Sequence, residues 1–487
     1  MGAFFSKPKS SGKKAEELAR QGLEVLYPAD EQYTAREQSF WSNSAKIHPA
    51  CIVRPRNAVE VSKAIKYLAA KSLHFAVRSG GHTQWAGSNN IHNGVTIDLG
   101  QLCWTKVDGD SKTVDIGPGG CWRDVYAELH KHGLVVAGGR EGNVGVAGLI
   151  LGGGNTFYTP RRGFACDNVV EYEVVLADGR IIKASAKQND DLYFALKGGS
   201  NNFGIVTNFK MKAFKTGPLW GGLMFFPKQV TEAAAEALTD FTSNMQHDLD
   251  SNILCFFAYT VSPQLKDVGI ATLYAQVAGV ENPAAYNNFT TLPSLMSTCK
   301  MTTVPEMVSA PEYNLPGDYY NTWFTASFKN DSRIVKKAAE LHEVMVEEFK
   351  AHIADGDFWT QCLFQPLPKL FGQRSAEAGG NVTGVQDQIE DGLLFQASAM
   401  VRTAEQEAFA YPKIKAWIEE IKLFAATIEG GNLPWVYLNY ADQCQDPLSS
   451  YGKENLQKLR AVCRKYDPQQ VFQKLCPGGF KVSAVRG

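Results

Sequence analysis

Three glycine-rich stretches limit what this chain can fold around: RSGGHTQWAGS at 78–88, GNVGVAGLILGGGNTF at 142–157 and GGSNNFGIVTNF at 198–209. Each frees backbone N–H groups and removes Cβ atoms, so main chain can lie directly against a bound group. A pyrophosphate or a flat ring suits such loops, whereas taken singly each reads equally as a turn in a large β-rich protein. The first also raises His82 straight after Gly80-Gly81 and the apolar run Phe75-Ala76-Val77, in a chain with nine histidines.

The loops punctuate a region of short β-like runs from Phe75 to about Phe214, interrupted by a helix at Trp122 to His132. Within it, Ala177-Asp178-Gly179-Arg180 marks a hairpin, because Asp-Gly supplies the positive φ angles of a tight turn. Upstream, Ala15 to Leu26 reads as a helix, and Asn57 with Glu60 caps a second helix through Ala70. From 218 to 430 glycine thins out; helices are expected at 229–246, 331–353 and 404–427, with strands at 252–260, 269–278 and 393–402. The fold class is α+β. The last part, from PWVYLNYAD, runs from an aromatic strand through a loop into a helix ending near Asp467-Pro468. Two lobes are expected for 487 residues, since one core rarely serves a chain of that length.

With 20% charged residues and a net charge of -1, the chain has no general attraction for polyanions, so nucleic acid is not an expected partner. The ten cysteines contain no C-x-x-C pair, which argues against a metal site of zinc-knuckle type and for a reducing, intracellular setting. No apolar run of transmembrane length or secretion signal is found. Met1-Gly2 with Ser6 fits the M-G-x-x-x-[ST] acylation pattern beside Lys7, Lys9, Lys13 and Lys14, a route to weak membrane association. A nicotinamide dinucleotide fits poorly: the run at 148–154 is G-L-I-L-G-G-G, not G-x-G-x-x-G, and no β-α-β unit surrounds it.

In order, HPACIVRPRNAVEVSKAI, AVRSGGHTQWAG, VTIDL, GGGNTF, CDNVVEYEVVLADGRI, LYFALKGGSNNFGIVT and YLNYAD with SYGKENL and KYDPQQVFQ resemble one family. It is the FAD-linked oxidases of the vanillyl-alcohol oxidase / p-cresol methylhydroxylase (PCMH) fold, in their fungal, berberine bridge enzyme-like form. The resemblance implies a leader and helix at 1–44, a PCMH-type FAD-binding domain at 45–217, a substrate domain with a helix-covered antiparallel sheet at 218–432, and a segment at 433–487 returning to the FAD domain. It also implies that His82 carries FAD through a covalent bond to the flavin 8α-methyl group. Ser79, Gly80, Gly81 and Thr83 are then expected along the pyrophosphate, with Arg78 and Gly87 as further cofactor-binding residues. Gly145, Gly148, Gly153 and Asn155 fall on the ribityl and ring side, with Gly204, Ile205 and Val206 near the adenine or ring edge.

Many relatives add a cysteinyl bond just before V-G-V-x-G. That position here is Glu141, so no second link is expected, and a surface ion pair with a lysine or arginine is the plain expectation for Glu141. Cys166 belongs to a different string and is no substitute. The resemblance assigns catalysis to Tyr440, with Asn439 and Tyr437 beside it. On a strand Tyr437 and Asn439 would share one face and Tyr440 the other, which predicts a bend at 439–440. A phenol, with an ordinary pKa of about 10, acts as a base near neutrality only beside a cation or hydrogen-bond donors; otherwise Tyr440 is an aromatic wall. Gln365, Asn381 and Asp387 are further pocket candidates, each with a structural alternative.

The implied activity is an oxidase that passes a hydride from a small molecule to FAD and electrons on to O2, giving H2O2, in fungal secondary metabolism. A carbohydrate or alcohol oxidase, a flavin-scaffolded cyclase without net redox chemistry and a tethered binding protein with a vestigial flavin site are the alternatives.

Overall fold

A computed structural model describes residues 11–260, 267–311 and 316–485; the Gly2 acylation pattern lies outside them. Two bodies of sheet flank one large cavity. The first begins with a four-stranded sheet in the order Val25–Leu26, Cys51–Val53, Val95–Asp98, Phe75–Arg78, whose last two pairings are parallel. Beside it runs a five-stranded antiparallel sheet that includes Val169–Val175, Ile181–Ser185 and Ile205–Lys212. Gly179 turns the hairpin at φ 82°. The helix Ala58–Ala70 starts where Asn57 Oδ1 accepts from the Glu60 amide at 3.0 Å, which satisfies a donor the first turn cannot. The helix expected at 15–26 is instead Ser11–Arg20 followed by the strand Val25–Leu26, because that strand pairs with Cys51–Val53.

The second body is a nine-stranded antiparallel sheet. Its pleat sends alternate side chains to opposite faces. Leu223 and Phe225, Leu254 and Phe256, and Trp359 and Leu363 line the cavity. The intervening Ile253, Cys255 and Phe257 are buried in the core under the helices Thr231–Asn244, Ser332–His352 and Ala404–Ala425. Three of its strands, Leu219–Pro227, Tyr320–Lys329 and Phe358–Leu367, lack an alternating sequence because both faces are covered. Among the described residues no helix is long and apolar enough to cross a membrane.

Under this sheet His342 is fully buried, with Nε2 2.8 Å from Thr360 Oγ1. Burial pushes its pKa down to about 3. The unfolded chain takes up this proton below about pH 6.5 and the folded chain does not, so stability is lost as pH falls from about 6.5 towards the folded value. One proton corresponds to about 1.4 kcal/mol per pH unit. Urea unfolding at pH 6.5, 5.5 and 4.5 should show a His342→Leu variant losing stability more slowly with acid than wild type, by about that slope; equal slopes would contradict the assignment.

Candidate active site

The cavity, about 810 Å³, is built where the glycine loops of the first body meet the apolar sheet face of the second. Gly80 and Gly145 bring two loops into backbone contact: a Cβ on Gly80 would lie 2.6 Å from Gly145 Cα. Ser79 Oγ donates to the Pro118 carbonyl at 2.6 Å, which fixes the first loop from behind. Gly148 differs, since a Cβ there meets nothing within 4 Å and looks into open cavity. Ser79, Gly80, Gly81, Thr83, Gly145, Asn155, Gly204, Ile205 and Val206 all line the space with His82 and Gly148.

Arg78, Gly87 and Gly153 do not line it. The Arg78 guanidinium turns away, donates to the Ser39 carbonyl at 2.9 Å and lies 3.7 Å over the Phe40 ring. Burial lowers its pKa to about 10. Its work is to hold the 36–40 segment under the His82 loop, and that segment delivers Trp41. The Trp41 ring stacks on His82 at 4.4 Å and 7°, and Trp323 meets Trp41 edge-on at 5.0 Å. Trp41 and Trp323 are 282 positions apart in sequence, so no local signal joins them to His82. Among these rings burial pushes the His82 pKa down to about 4, which keeps the imidazole neutral and nucleophilic at ordinary pH.

Among the described residues Glu141 has no ion pair with a lysine or arginine. Its side chain is only 18% exposed, and Oε2 lies 3.6 Å from His82 Nε2. The expectation of a solvated carboxylate fails because the turn at 139–145 folds inward against the His82 loop, so that Arg140, Glu141 and Gly145 all face the cavity. No cysteine lines the cavity, and Cys166 is buried beside Asp167.

The segment expected to be an aromatic strand at 434–440 is not one. Leu438–Tyr440 is a single 3-10 turn, closed by Tyr440 N–H donating to the Tyr437 carbonyl at 3.0 Å. Three side chains, each tied to a different partner, override the β tendency. The Trp435 indole donates to the Thr383 carbonyl at 3.0 Å, the Tyr437 hydroxyl accepts from Asn155 N–H at 2.7 Å, and Asn439 Nδ2 donates to the Leu149 carbonyl at 3.0 Å. Tyr437 is buried, which raises its phenol pKa, and it anchors the Asn155 loop; Asn439 anchors the helix Val146–Leu151.

The turn sends Tyr440 elsewhere. Its hydroxyl oxygen accepts from Gln365 Nε2 at 3.1 Å and from Arg140 Nη2 at 3.3 Å, and Arg140 also donates to Gln365 Oε1. The ring is held edge-on by Trp323 at 6.0 Å and Tyr437 at 4.9 Å. An oxygen that accepts twice, once from a guanidinium, is set to carry negative charge while a proton moves. Arg140 was not singled out in the sequence; its position next to Glu141 is the only local hint. Asn381 is buried on Asp167 and Ser375, and Asp387 is exposed, so neither belongs to the site.

The cavity fits FAD. Glycine clears room for a flat group at Gly148, backbone crosses backbone at Gly80 and Gly145, and the amide oxygens of Asn89, Asn155 and Asn439 are buried along the lining without hydrogen-bond partners. Such acceptors suit the ring N–H and hydroxyl groups of a flavin nucleotide. Gly148→Leu should therefore leave the unfolding free energy of the flavin-free protein unchanged or raise it by up to about 1 kcal/mol, since the site lies within the helix Val146–Leu151, and abolish most FAD uptake. Gly80→Ala should cost about 1–3 kcal/mol of stability through overpacking. Unfolding curves and flavin absorbance read both; full FAD uptake by Gly148→Leu would contradict the placement.

The two bodies of sheet and the cavity between them have the vanillyl-alcohol oxidase / PCMH type of fold. Residues 49–185 match the family model of an FAD binding domain. The FAD-dependent monooxygenase drtC of Aspergillus calidoustus is 37% identical over 469 residues, which span 95% of this chain and 88% of that protein. The chain belongs to the FAD-dependent oxidoreductase family of this fungal relative. Among solved structures, the carbohydrate oxidase from Microdochium nivale superposes with a TM-score of 0.76 at 20% identity, covering 98% of this chain and 99% of that one. Glucooligosaccharide oxidase from Acremonium strictum, with its 6-S-cysteinyl, 8α-N1-histidyl FAD, gives 0.71 at 18% identity, covering 95% and 98%.

Proposed function

We propose that this enzyme is an oxidase whose FAD is bound covalently through His82 alone, with Tyr440 as the base for a small-molecule substrate. The observation that carries the reading is the Tyr440 hydroxyl, held by Gln365 and Arg140 where the apolar chamber opens onto the glycine-lined cleft. When bound, FAD supplies a two-electron acceptor that O2 reoxidises with release of H2O2. The chain supplies the rest. Leu223, Phe225, Leu254 and Phe256 wall the chamber and exclude water from a hydrophobic substrate body. Tyr440 acts as a phenolate held by the Arg140 and Gln365 donors, and takes the substrate hydroxyl proton on Oη as the adjacent C–H bond breaks. Backbone N–H groups of the 79–83 loop hold the pyrophosphate.

Attachment at one point only is supported by Glu141 at the place of the second tether and by the absence of cysteine from the lining. In this reading residues 45–217 bind FAD, 218–432 form the substrate domain and 433–487 return the base. The apolar chamber favours a polycyclic or phenolic intermediate of secondary metabolism over a sugar.

The deciding experiment is anaerobic mixing with a panel of alcohols, phenols and amines. Bleaching of the yellow flavin by a substrate, followed by stoichiometric H2O2 when air is admitted, is the expected result. Product formed while the flavin stays oxidised throughout would replace the oxidase with a cyclase that uses FAD as scaffold. The monooxygenase name of the Aspergillus relative motivates one further arm: labelled oxygen from 18O2 in the product would overturn simple oxidation.

A further inference from the structure

His82 and Glu141 meet at the corner of the cavity that Trp41 and Trp323 close off. Glu141 Oε1 accepts from Asn143 Nδ2 at 3.0 Å, which fixes the carboxyl group. Its other oxygen, Oε2, is buried without a hydrogen-bond partner and lies 3.6 Å from His82 Nε2. A buried carboxylate oxygen with no donor is costly, and nature keeps few of them without use. Burial raises the Glu141 pKa, opposed by the Asn143 and Val144 amides and by Arg123. The same burial lowers that of His82, so a lasting ion pair between the two is disfavoured.

We infer that Glu141 is the proton acceptor for covalent attachment of FAD to His82; the inference rests on the His82 reading above. The tautomer that carries its proton on Nε2, the nitrogen facing the carboxylate, leaves the in-plane lone pair on Nδ1 as the atom that bonds to carbon. In the attachment step a C–H bond of the flavin 8α-methyl group and the imidazole N–H bond break, and one C–N bond forms. The electron pair of the C–H bond and two protons end on the isoalloxazine as a two-electron reduction, and O2 removes both electrons and both protons as H2O2. Glu141 takes the Nε2 proton as positive charge builds on the alkylated ring and passes it on. A thiol in this place would make a second bond, whereas a carboxyl serves the first.

The test follows attachment directly and needs no substrate. Wild type, His82→Ala and Glu141→Gln are incubated with FAD in air, and flavin fluorescence is read on the denatured polypeptide over time. FAD held by the folded protein is measured separately after gel filtration. Glu141→Gln keeps the shape of the side chain and should hold FAD when folded yet attach it at least ten-fold more slowly. In Glu141→Ala, added formate should restore the rate, which a purely structural carboxyl would not do. Attachment by Glu141→Gln at the wild-type rate overturns the inference and leaves His82 as the tether. Should Glu141→Gln fail to hold FAD, Glu141→Ala decides: acceleration by formate upholds the inference, and no response overturns it. A wild type that sheds all its flavin on denaturation overturns the His82 reading and this inference with it.

Discussion

Tyr440→Phe should lower kcat by about 10²- to 10⁴-fold, the range for loss of a positioned general base, while FAD content stays at the wild-type level. Only one oxygen is removed. The ring keeps its edge contacts with Trp323 and Tyr437, and Arg140 keeps its hydrogen bond to Gln365, so neither the fold nor the cofactor cleft loses a support. The rate of anaerobic flavin reduction should fall with kcat, because the base acts in the step in which the substrate C–H bond breaks. A substrate KM that rises with kcat unchanged would instead make Tyr440 an aromatic wall that binds without reacting. A rate within threefold of wild type would remove it from catalysis altogether.

His82→Ala should abolish covalent flavin, from full retention on the denatured chain to none, and should slow turnover about ten-fold or more through loss of a more oxidising, fixed flavin. The reason is local geometry. The imidazole is neutral, sandwiched against Trp41, and carried on a loop whose glycines let the backbone lie against the crossing loop at Gly145. Among the described residues of the lining there is no cysteine to compete with it. Folded His82→Ala should still take up FAD reversibly, because the glycine cleft and the Asn155 and Asn439 acceptors are untouched. Flavin fluorescence that persists on denatured His82→Ala would place the bond elsewhere.

What could be read from sequence was local chemistry. Asn57 with Glu60 names a helix start and Asp178-Gly179 names a turn because the physical cause lies within four residues. The glycine loops were legible for the same reason, since a missing Cβ declares close approach wherever it occurs. Strands such as Tyr320–Lys329, buried on both faces, carry no alternation that marks them. The 434–440 segment misled for a different reason. Its aromatics favour a strand, but Trp435, Tyr437 and Asn439 are each claimed by a distant partner, and the chain turns to satisfy all three.

The site shows the same division. His82 and Tyr440 stand in recognisable strings, but their environment is assembled from residues that share no sequence neighbourhood. Trp41 comes from the stretch between the strands Val25–Leu26 and Cys51–Val53 of the first sheet, Arg140 and Glu141 from an inward turn, and Gln365 and Trp323 from strands of the second body. Charge and burial at Glu141 follow from that assembly, which is why a residue that reads as a surface carboxylate in sequence faces the imidazole in the fold.

Mass analysis of the tryptic peptide Ser79–Lys106 from acid-denatured protein is the most direct check on the central claim. The peptide contains two histidines, His82 and the exposed His92. The account predicts one FAD, less two hydrogens, on this peptide, with fragment ions placing it on His82 and no flavin on any cysteine-containing fragment outside it. Unmodified peptide with all flavin in the acid supernatant, or a flavin located on His92 or on a cysteine, would contradict it.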